Sequence, residues 1–179
     1  ARVSNRYLRE SVQKVIDDLP EGRTLRVLEI GAGAAGSLAT DLLPWLATGR
    51  VEYLLTDRSE AFLSQAKQRF REHPSVECKV LDIERDPLEQ GYDLHSFDLI
   101  LGAELFHATA APRAGLKNVT RLLSSDGLLL ALALTRRSKW LDLVFGTAPE
   151  WWSRGDGEAR SEPPLMSASQ WLDLLRSAE

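Results

Sequence analysis

Apolar residues along the chain change period in an orderly way, from helical spacing to short continuous runs and back. Tyr7, Leu8, Val12, Val15 and Ile16 recur at helical spacing over 5–18, and Pro20-Glu21-Gly22 then breaks the pattern. Arg26–Ile30 predicts a short strand opening directly into Gly31-Ala32-Gly33-Ala34-Ala35-Gly36, after which Leu38, Leu42, Leu43 and Leu46 predict a helix. Val51–Thr56 is a second predicted strand, ending at Asp57. Ser59 is a candidate N-cap for a helix over about 60–72 that turns Ala61, Phe62, Ala66 and Phe70 to a sheet. Val76–Leu81 predicts a third strand with Asp82 just beyond it, and Phe97–Leu101 a fourth, preceded by loop signals at Asp86-Pro87 and Gly91. Leu116, Val119, Leu122 and Leu123 mark a helix ended by Ser125-Asp126-Gly127. Leu128–Leu134 then predicts a fifth strand, apolar enough to be buried on both faces. Thr147–Pro164 reads as a long loop or lid. Ser167-Ala168-Ser169-Gln170-Trp171 opens a last helix, with Trp171, Leu172, Leu174 and Leu175 available to dock on the core.

Strands alternating with helices imply an α/β fold with a doubly wound, mostly parallel sheet. In such a sheet the carboxyl ends of the strands line one crevice. Gly31–Gly36, Asp57, Asp82 and Glu104 all follow strands, so this single fold gathers them at one edge. With 179 residues the chain suits one domain. Its expected parts are a cofactor-binding core over 26–135 and a lid-like loop with a terminal helix over 136–179.

Composition narrows the partners. A formal charge of -4 and a pI near 5.5, without a Lys/Arg-rich run, argue against nucleic acid. Cys78 is the one cysteine, so neither an internal disulfide nor a thiolate metal site is expected. The apolar runs are too short to span a bilayer and the amino terminus lacks a signal-peptide pattern, so a cytoplasmic chain with no membrane partner is expected. The first residue, Ala1, and a close within an amphipathic stretch suggest a piece of a longer polypeptide.

The glycine loop carries the chemistry. Gly31 and Gly33 suit a tight turn whose backbone a ligand can approach, and Gly36 suits close packing of the following helix. Asp57 lies somewhat farther on than the usual ~20 residues for a ribose-binding acid but still closes the second strand. A carboxylate there can accept both ribose hydroxyls. Asp82 can accept an adenine amino group, or it can be an ordinary turn acid beside Ile83-Glu84. Glu29, two residues before Gly31, puts negative charge near the loop, which is awkward for a diphosphate. It suits the cationic amino acid end of S-adenosylmethionine, directly or through a water, and so favours that cofactor over a nicotinamide.

Several stretches together resemble the S-adenosylmethionine-dependent methyltransferase domains embedded in modular polyketide synthases. They are Leu28-Glu29-Ile30-Gly31-Ala32-Gly33, Thr56-Asp57, Val80-Leu81-Asp82-Ile83-Glu84-Arg85-Asp86-Pro87, Phe97-Asp98-Leu99-Ile100 and Leu105-Phe106-His107-Ala108-Thr109. The similarity continues through Gly127-Leu128-Leu129, Trp140–Leu143, Trp151-Trp152 and Gln170-Trp171. It implies a class I, Rossmann-like core. It also implies methyl transfer to the α-carbon, or in some modules a hydroxyl, of an acyl chain tethered to an acyl carrier protein, with neighbouring synthase domains as partners. Carried over by position, Glu29, Gly31 and Gly33 match the cofactor loop, Asp57 the ribose acid, Asp82 the adenine contact and His107 the general base. An imidazole, with a reference pKa of about 6.5, is suited to taking an acidic α-proton near neutrality.

The chain also departs from that pattern. Ala133 stands where active members tend to carry a glutamate that orients the histidine, and Ala34-Ala35 replaces Thr-Gly in the loop. Glu104 replaces an asparagine beside the substrate, where it can repel an enolate or stand in for the missing glutamate as a catalytic partner of His107. Ser153-Arg154-Gly155-Asp156 replaces part of the substrate lid. The full amino-terminal lid and the carboxy-terminal strand pair of the family are not expected within this length. An active methyltransferase and a catalytically inactive pseudo-methyltransferase serving as a structural domain both fit these residues. A free-standing small-molecule methyltransferase fits the family-specific stretches less well.

Overall fold

Each apolar run that is too short for a helix pairs into one sheet. The computed structural model describes residues 2–33, 39–40, 42, 49–103, 109, 111–133, 135 and 166–177. Its strands are β1 (Leu25–Ile30), β2 (Val51–Asp57), β3 (Val76–Val80), β4 (Phe97–Ala103) and β5 (Leu123–Leu132). Their order is β3-β2-β1-β4-β5, and every neighbouring pair is parallel. Among the described residues the helices with both ends defined are α1 (Arg2–Asp17), α2 (Glu60–Arg69), α3 (Pro112–Leu122) and α4 (Ala168–Arg176). This is the expected doubly wound α/β architecture. The winding direction reverses between β1 and β4, which opens a crevice beyond their carboxyl ends.

Strand alternation divides the core into two layers. Val27, Tyr53, Leu55, Leu99 and Leu101 face Leu8, Val12 and Ile16 of α1 and Leu63 and Ala66 of α2. Leu28, Ile30 and Ile100 face Leu116, Val119 and Leu122 of α3 and Trp171 and Leu174 of α4. Each such fully buried aliphatic side chain contributes about 1.5–3 kcal/mol relative to exposure. At the opposite edge from the crevice, Asp98 fastens β4 to β1. Its Oδ2 accepts the Arg26 backbone N–H at 3.0 Å and Nε–H at 3.2 Å, and its Oδ1 accepts Arg26 Nη2–H at 3.0 Å. Arg23 Nη2 lies 3.5 Å from Oδ1, and Ser124 Oγ–H donates to the same oxygen at 3.4 Å.

Four local expectations change. The α2 face consists of Phe62, Leu63, Ala66 and Phe70, while Ala61 is exposed. Ser59 is the N-cap of α2, but its side chain makes no capping bond. Ser125-Asp126-Gly127 does not separate α3 from β5, because Leu123 already pairs with Phe97 and the register resumes at Leu99 and Leu128. The intervening residues form an irregularity in the strand. β5 is not buried on both faces, because it is an outer strand among the described residues, and Leu128 is 44% exposed.

The last helix forms where expected. Ser167 Oγ accepts the Gln170 N–H at 3.3 Å, and the Gln170 side chain accepts the Ser167 N–H at 2.8 Å, a reciprocal cap. Trp171 and Leu174 dock, whereas Leu172 and Leu175 point outward. Ala39, Thr40 and Leu42 are helical, as the pattern after the glycine loop predicts. The expected lid over Thr147–Pro164 lies outside the described residues.

Candidate cofactor site

The chain leaves β1 through a turn suited to glycine. Gly31 has φ 99° and Gly33 φ 38°, both in the region that side chains disfavour. Ile30 lies beside Thr56 on one flank and Gly102 on the other, so the ends of β1, β2 and β4 are level. The Thr56 carbonyl accepts the N–H groups of both Gly31, at 2.8 Å, and Ala32, at 3.1 Å. Thr56 Oγ1–H donates back to the Glu29 carbonyl at 2.8 Å. The loop is thus bound to β2 before any ligand arrives.

Asp57 joins three strand ends. Its Oδ2 accepts the Gly33 N–H at 3.2 Å and its Oδ1 the Ser59 N–H at 2.8 Å. Its carbonyl accepts the Leu81 N–H at 3.1 Å, which binds the exit of β3 to the same point. Each carboxylate oxygen retains acceptor capacity after one backbone bond. This side chain is nearly buried, at 9% exposure, yet stands at the mouth beside the exposed Gly33.

Glu29 has a different setting. It is 2% exposed, and its Oε2 accepts the Tyr53 hydroxyl at 2.7 Å and the Ala39 N–H at 3.2 Å. The carboxylate therefore ties β1 to β2 and to the helical residues beyond the glycine loop. Burial, and then the negative charge of Glu29, push the Tyr53 phenol well above its usual range, so it remains a proton donor.

Asp82 lies half-buried just beyond β3 and makes the turn expected of an acid in that position, its Oδ1 accepting the Glu84 N–H at 3.0 Å. The turn is clipped to α3. Asn118 Nδ2–H donates to the carbonyls of Ile83 at 2.9 Å and Arg85 at 3.0 Å. Glu84 Oε1 accepts the Ala111 N–H at 3.0 Å, and Arg121 pairs with Asp86 at 3.1 Å. The Arg121 hydrogen bond, with the Leu88 N–H behind it, holds the Asp86 carboxyl below its usual range.

Gly31, Gly33, Asp57 and Asp82 are thus brought to one sheet edge, with Glu29 beneath the loop. The expected catalytic pair, His107 and Glu104, lies outside the described residues, just after β4. Ala133 follows β5 and packs, partly buried, against the α3 and α4 layer. Tyr53 and Asn118 were not singled out by the sequence, and Thr56 figured only beside Asp57. Tyr53 left one signal, a polar-tipped aromatic at an inward position of a buried strand, on the face it shares with Glu29. Among the described residues no cluster of His, Cys, Asp and Glu suits a metal ion, and no helix is long and apolar enough to cross a membrane.

A parallel sheet whose carboxyl edge carries a glycine turn bonded to the acid of the adjacent strand has the Rossmann-like architecture of class I methyltransferases. The chain belongs to the methyltransferase domain family, whose model matches residues 28–129. It is 40% identical over 176 residues to the highly reducing polyketide synthase pspA of Penicillium soppii, covering 94% of this chain and 7% of that protein. The CurJ carbon methyltransferase structure superimposes with a TM-score of 0.86 at 36% identity, over 97% of this chain and 46% of that one. The trans-methyltransferase CalH, solved in complex with SAH, gives a TM-score of 0.75 at 34% identity, over 87% of this chain and 44% of that one. The expected kinship with methyltransferase domains of polyketide synthases is therefore borne out. The chain spans a small part of the synthase it matches and less than half of these solved methyltransferases.

Proposed function

We propose that this domain transfers a methyl group from S-adenosylmethionine to the α-carbon of an acyl chain carried on an acyl carrier protein within a polyketide synthase. The observation that carries the reading is the Gly33–Asp57 bond, which fixes a side-chain-free turn and a carboxylate side by side at the strand ends. That donor and acceptor set fits the cofactor, since Asp57 would take the ribose hydroxyls and Asp82 the adenine amino group. The backbone of Gly31–Gly33 would lie against the amino acid portion, with Glu29 supplying negative charge from below. The SAH bound by CalH supports the same cofactor class. S-adenosylmethionine supplies an electrophilic methyl on a sulfonium and departs as a neutral thioether.

In this reading His107 takes the acidic α-proton of a β-ketoacyl thioester. The electron pair left on the α-carbon forms the new carbon–carbon bond as the carbon–sulfur bond breaks. Glu104, three residues before, would orient His107. Alignment of acceptor and methyl supplies much of the remaining rate. The same site would serve a hydroxyl acceptor if the proton came from oxygen.

A second reading, a structural pseudo-methyltransferase, is favoured by Ala133, a methyl group packed against the core at the position where, by the resemblance, active members carry the glutamate that orients the histidine. Incubation of the intact protein with S-adenosylmethionine and a carrier-bound β-ketoacyl thioester, read by mass spectrometry, separates the two. Under the first reading the product gains one methyl, and His107→Ala lowers the rate by about 10²–10⁴. No methyl transfer despite cofactor binding overturns it in favour of the second. If Ala133→Glu then gains activity, the loss lies in the partner of His107.

A further inference from the structure

The β3 ladder ends at Val80, so Asp82 has left the strand that would otherwise hold its backbone. A single side chain replaces that partner. Gln90 Oε1 accepts the Asp82 N–H at 2.8 Å, and Gln90 Nε2–H donates to the Asp82 carbonyl at 2.9 Å. A primary amide carries a donor and an acceptor side by side, as a peptide group does, so Gln90 pairs both backbone groups of Asp82 as a neighbouring strand residue would. Its Nε2 also lies 3.2 Å from the carbonyls of Arg85 and Asp86, which closes the turn onto the same amide. Gln90 is itself fixed, because its N–H and that of Tyr92 both donate to the Pro87 carbonyl, at 3.1 and 3.0 Å. Asn118, by contrast, reaches only Ile83 and Arg85 of this turn.

We propose that Gln90 is a positioning residue for the cofactor base: it fixes the Asp82 backbone so that the carboxylate is presented for adenine, and thereby sets base preference. This rests on the reading that Asp82 takes the adenine amino group. A residue serving only the stability of the turn would share its effects with Asn118, which binds the same turn without touching Asp82.

Calorimetry on the intact protein with S-adenosylhomocysteine and S-inosylhomocysteine, whose base carries a carbonyl in place of the amino group, makes the comparison. The parent protein should prefer the adenine ligand by roughly 10- to 100-fold, the range of a hydrogen bond to a charged acceptor. Gln90→Leu should reduce that preference to below about threefold, as Asp82→Ala does, while Asn118→Leu keeps it. A Gln90→Leu protein that retains the preference Asp82→Ala loses, or an Asn118→Leu protein that loses it equally, overturns the proposal and leaves the cofactor reading intact. A parent protein that binds neither ligand overturns the cofactor reading, and one that binds both alike overturns the Asp82–adenine assignment; either result overturns the base preference. Amide exchange then still reads the hold on the backbone: the Asp82 N–H should exchange at least about tenfold faster in Gln90→Leu and at the parental rate in Asn118→Leu. Should the leucine variant fail to fold, Gln90→Glu keeps the acceptor for the Asp82 N–H and removes the donor. It should give an intermediate preference, and a parental value would refute the role of the donor.

Discussion

Replacing Tyr53 by phenylalanine removes one oxygen atom and changes the shape of the buried ring very little. The lost group donates at 2.7 Å to a carboxylate that is 2% exposed. A hydrogen bond to a charged acceptor contributes about 1.5–3 kcal/mol, and the phenyl ring leaves Glu29 one donor short in a site with little water. Tyr53→Phe should therefore cost about 2 kcal/mol, a large fraction of the ~5–15 kcal/mol that holds a typical domain. The phenol is pushed far above neutrality by burial and by the charge it faces, so the cost should be constant from pH 6 to pH 9. Urea unfolding with linear extrapolation measures the loss, with the denaturant slope unchanged. Glu29→Gln and the double substitution complete a cycle, and the coupling between the two sites should exceed about 1 kcal/mol. A loss below about 0.5 kcal/mol, or effects additive to within that margin, would show that the pair does not hold β1 to β2.

Asp98 should govern part of the acid limb of stability. Burial opposes its charge, but the Arg26 side chain and backbone outweigh that and hold its carboxyl below the usual range. A group depressed on folding contributes fully above its unfolded pKa of about 4, and the contribution is lost as pH falls from there through the folded value. Asp98→Asn should thus cost about 1–3 kcal/mol at neutral pH and flatten the stability slope below about pH 4, and an unchanged slope would refute the assignment. Gly127→Ala should cost about 1–3 kcal/mol in the same unfolding assay. A Cβ there meets Leu123 Cδ2 at 2.9 Å and the carbonyl oxygens of Ser124 and Phe97 at 3.0 and 3.1 Å, and backbone cannot yield as a side chain can. Ser167→Ala removes one half of the α4 cap and should cost about 1 kcal/mol, seen as a lower melting temperature, with Ser167→Asn close to parental.

What sequence reading captured follows from where periodicity is strong. Val27–Ile30 and Val51–Leu55 are short apolar runs between turn signals, and a buried parallel strand has that form, so the first two strands and the glycine turn at Gly31–Gly33 were legible. Asp57 and Asp82 were located because position after a strand is itself a topological statement. Leu128–Leu134 misled because a near-continuous apolar run marks a doubly buried strand only when both flanks are covered. Ser125-Asp126-Gly127 misled because turn residues can be absorbed into a strand as an irregularity. Gln90 and Asn118 left no pattern at all, and Thr56 entered only as the neighbour of Asp57. Each bonds backbone groups brought near by the fold, and side-chain-to-backbone bonds of that kind impose no period on the sequence.

The fastening at Asp98 has a consequence for how such a domain can change. Arg26, Arg23 and Ser124 converge on that one carboxylate at the amino-terminal edge of the sheet, whereas Gly33, Asp57 and Asp82 stand at the carboxyl edge. The amino-terminal rim thus has a fastening of its own, separate from the hydrogen bonds that set the carboxyl rim. Under the proposed function, substitutions at the carboxyl rim, alanine at position 133 among them, should alter turnover while the Asp98 contacts keep the strands aligned at the other rim. On that reading, a replacement at the mouth would change the reaction without releasing the β1–β4 fastening, so loss of methyl transfer and loss of fold are separable outcomes.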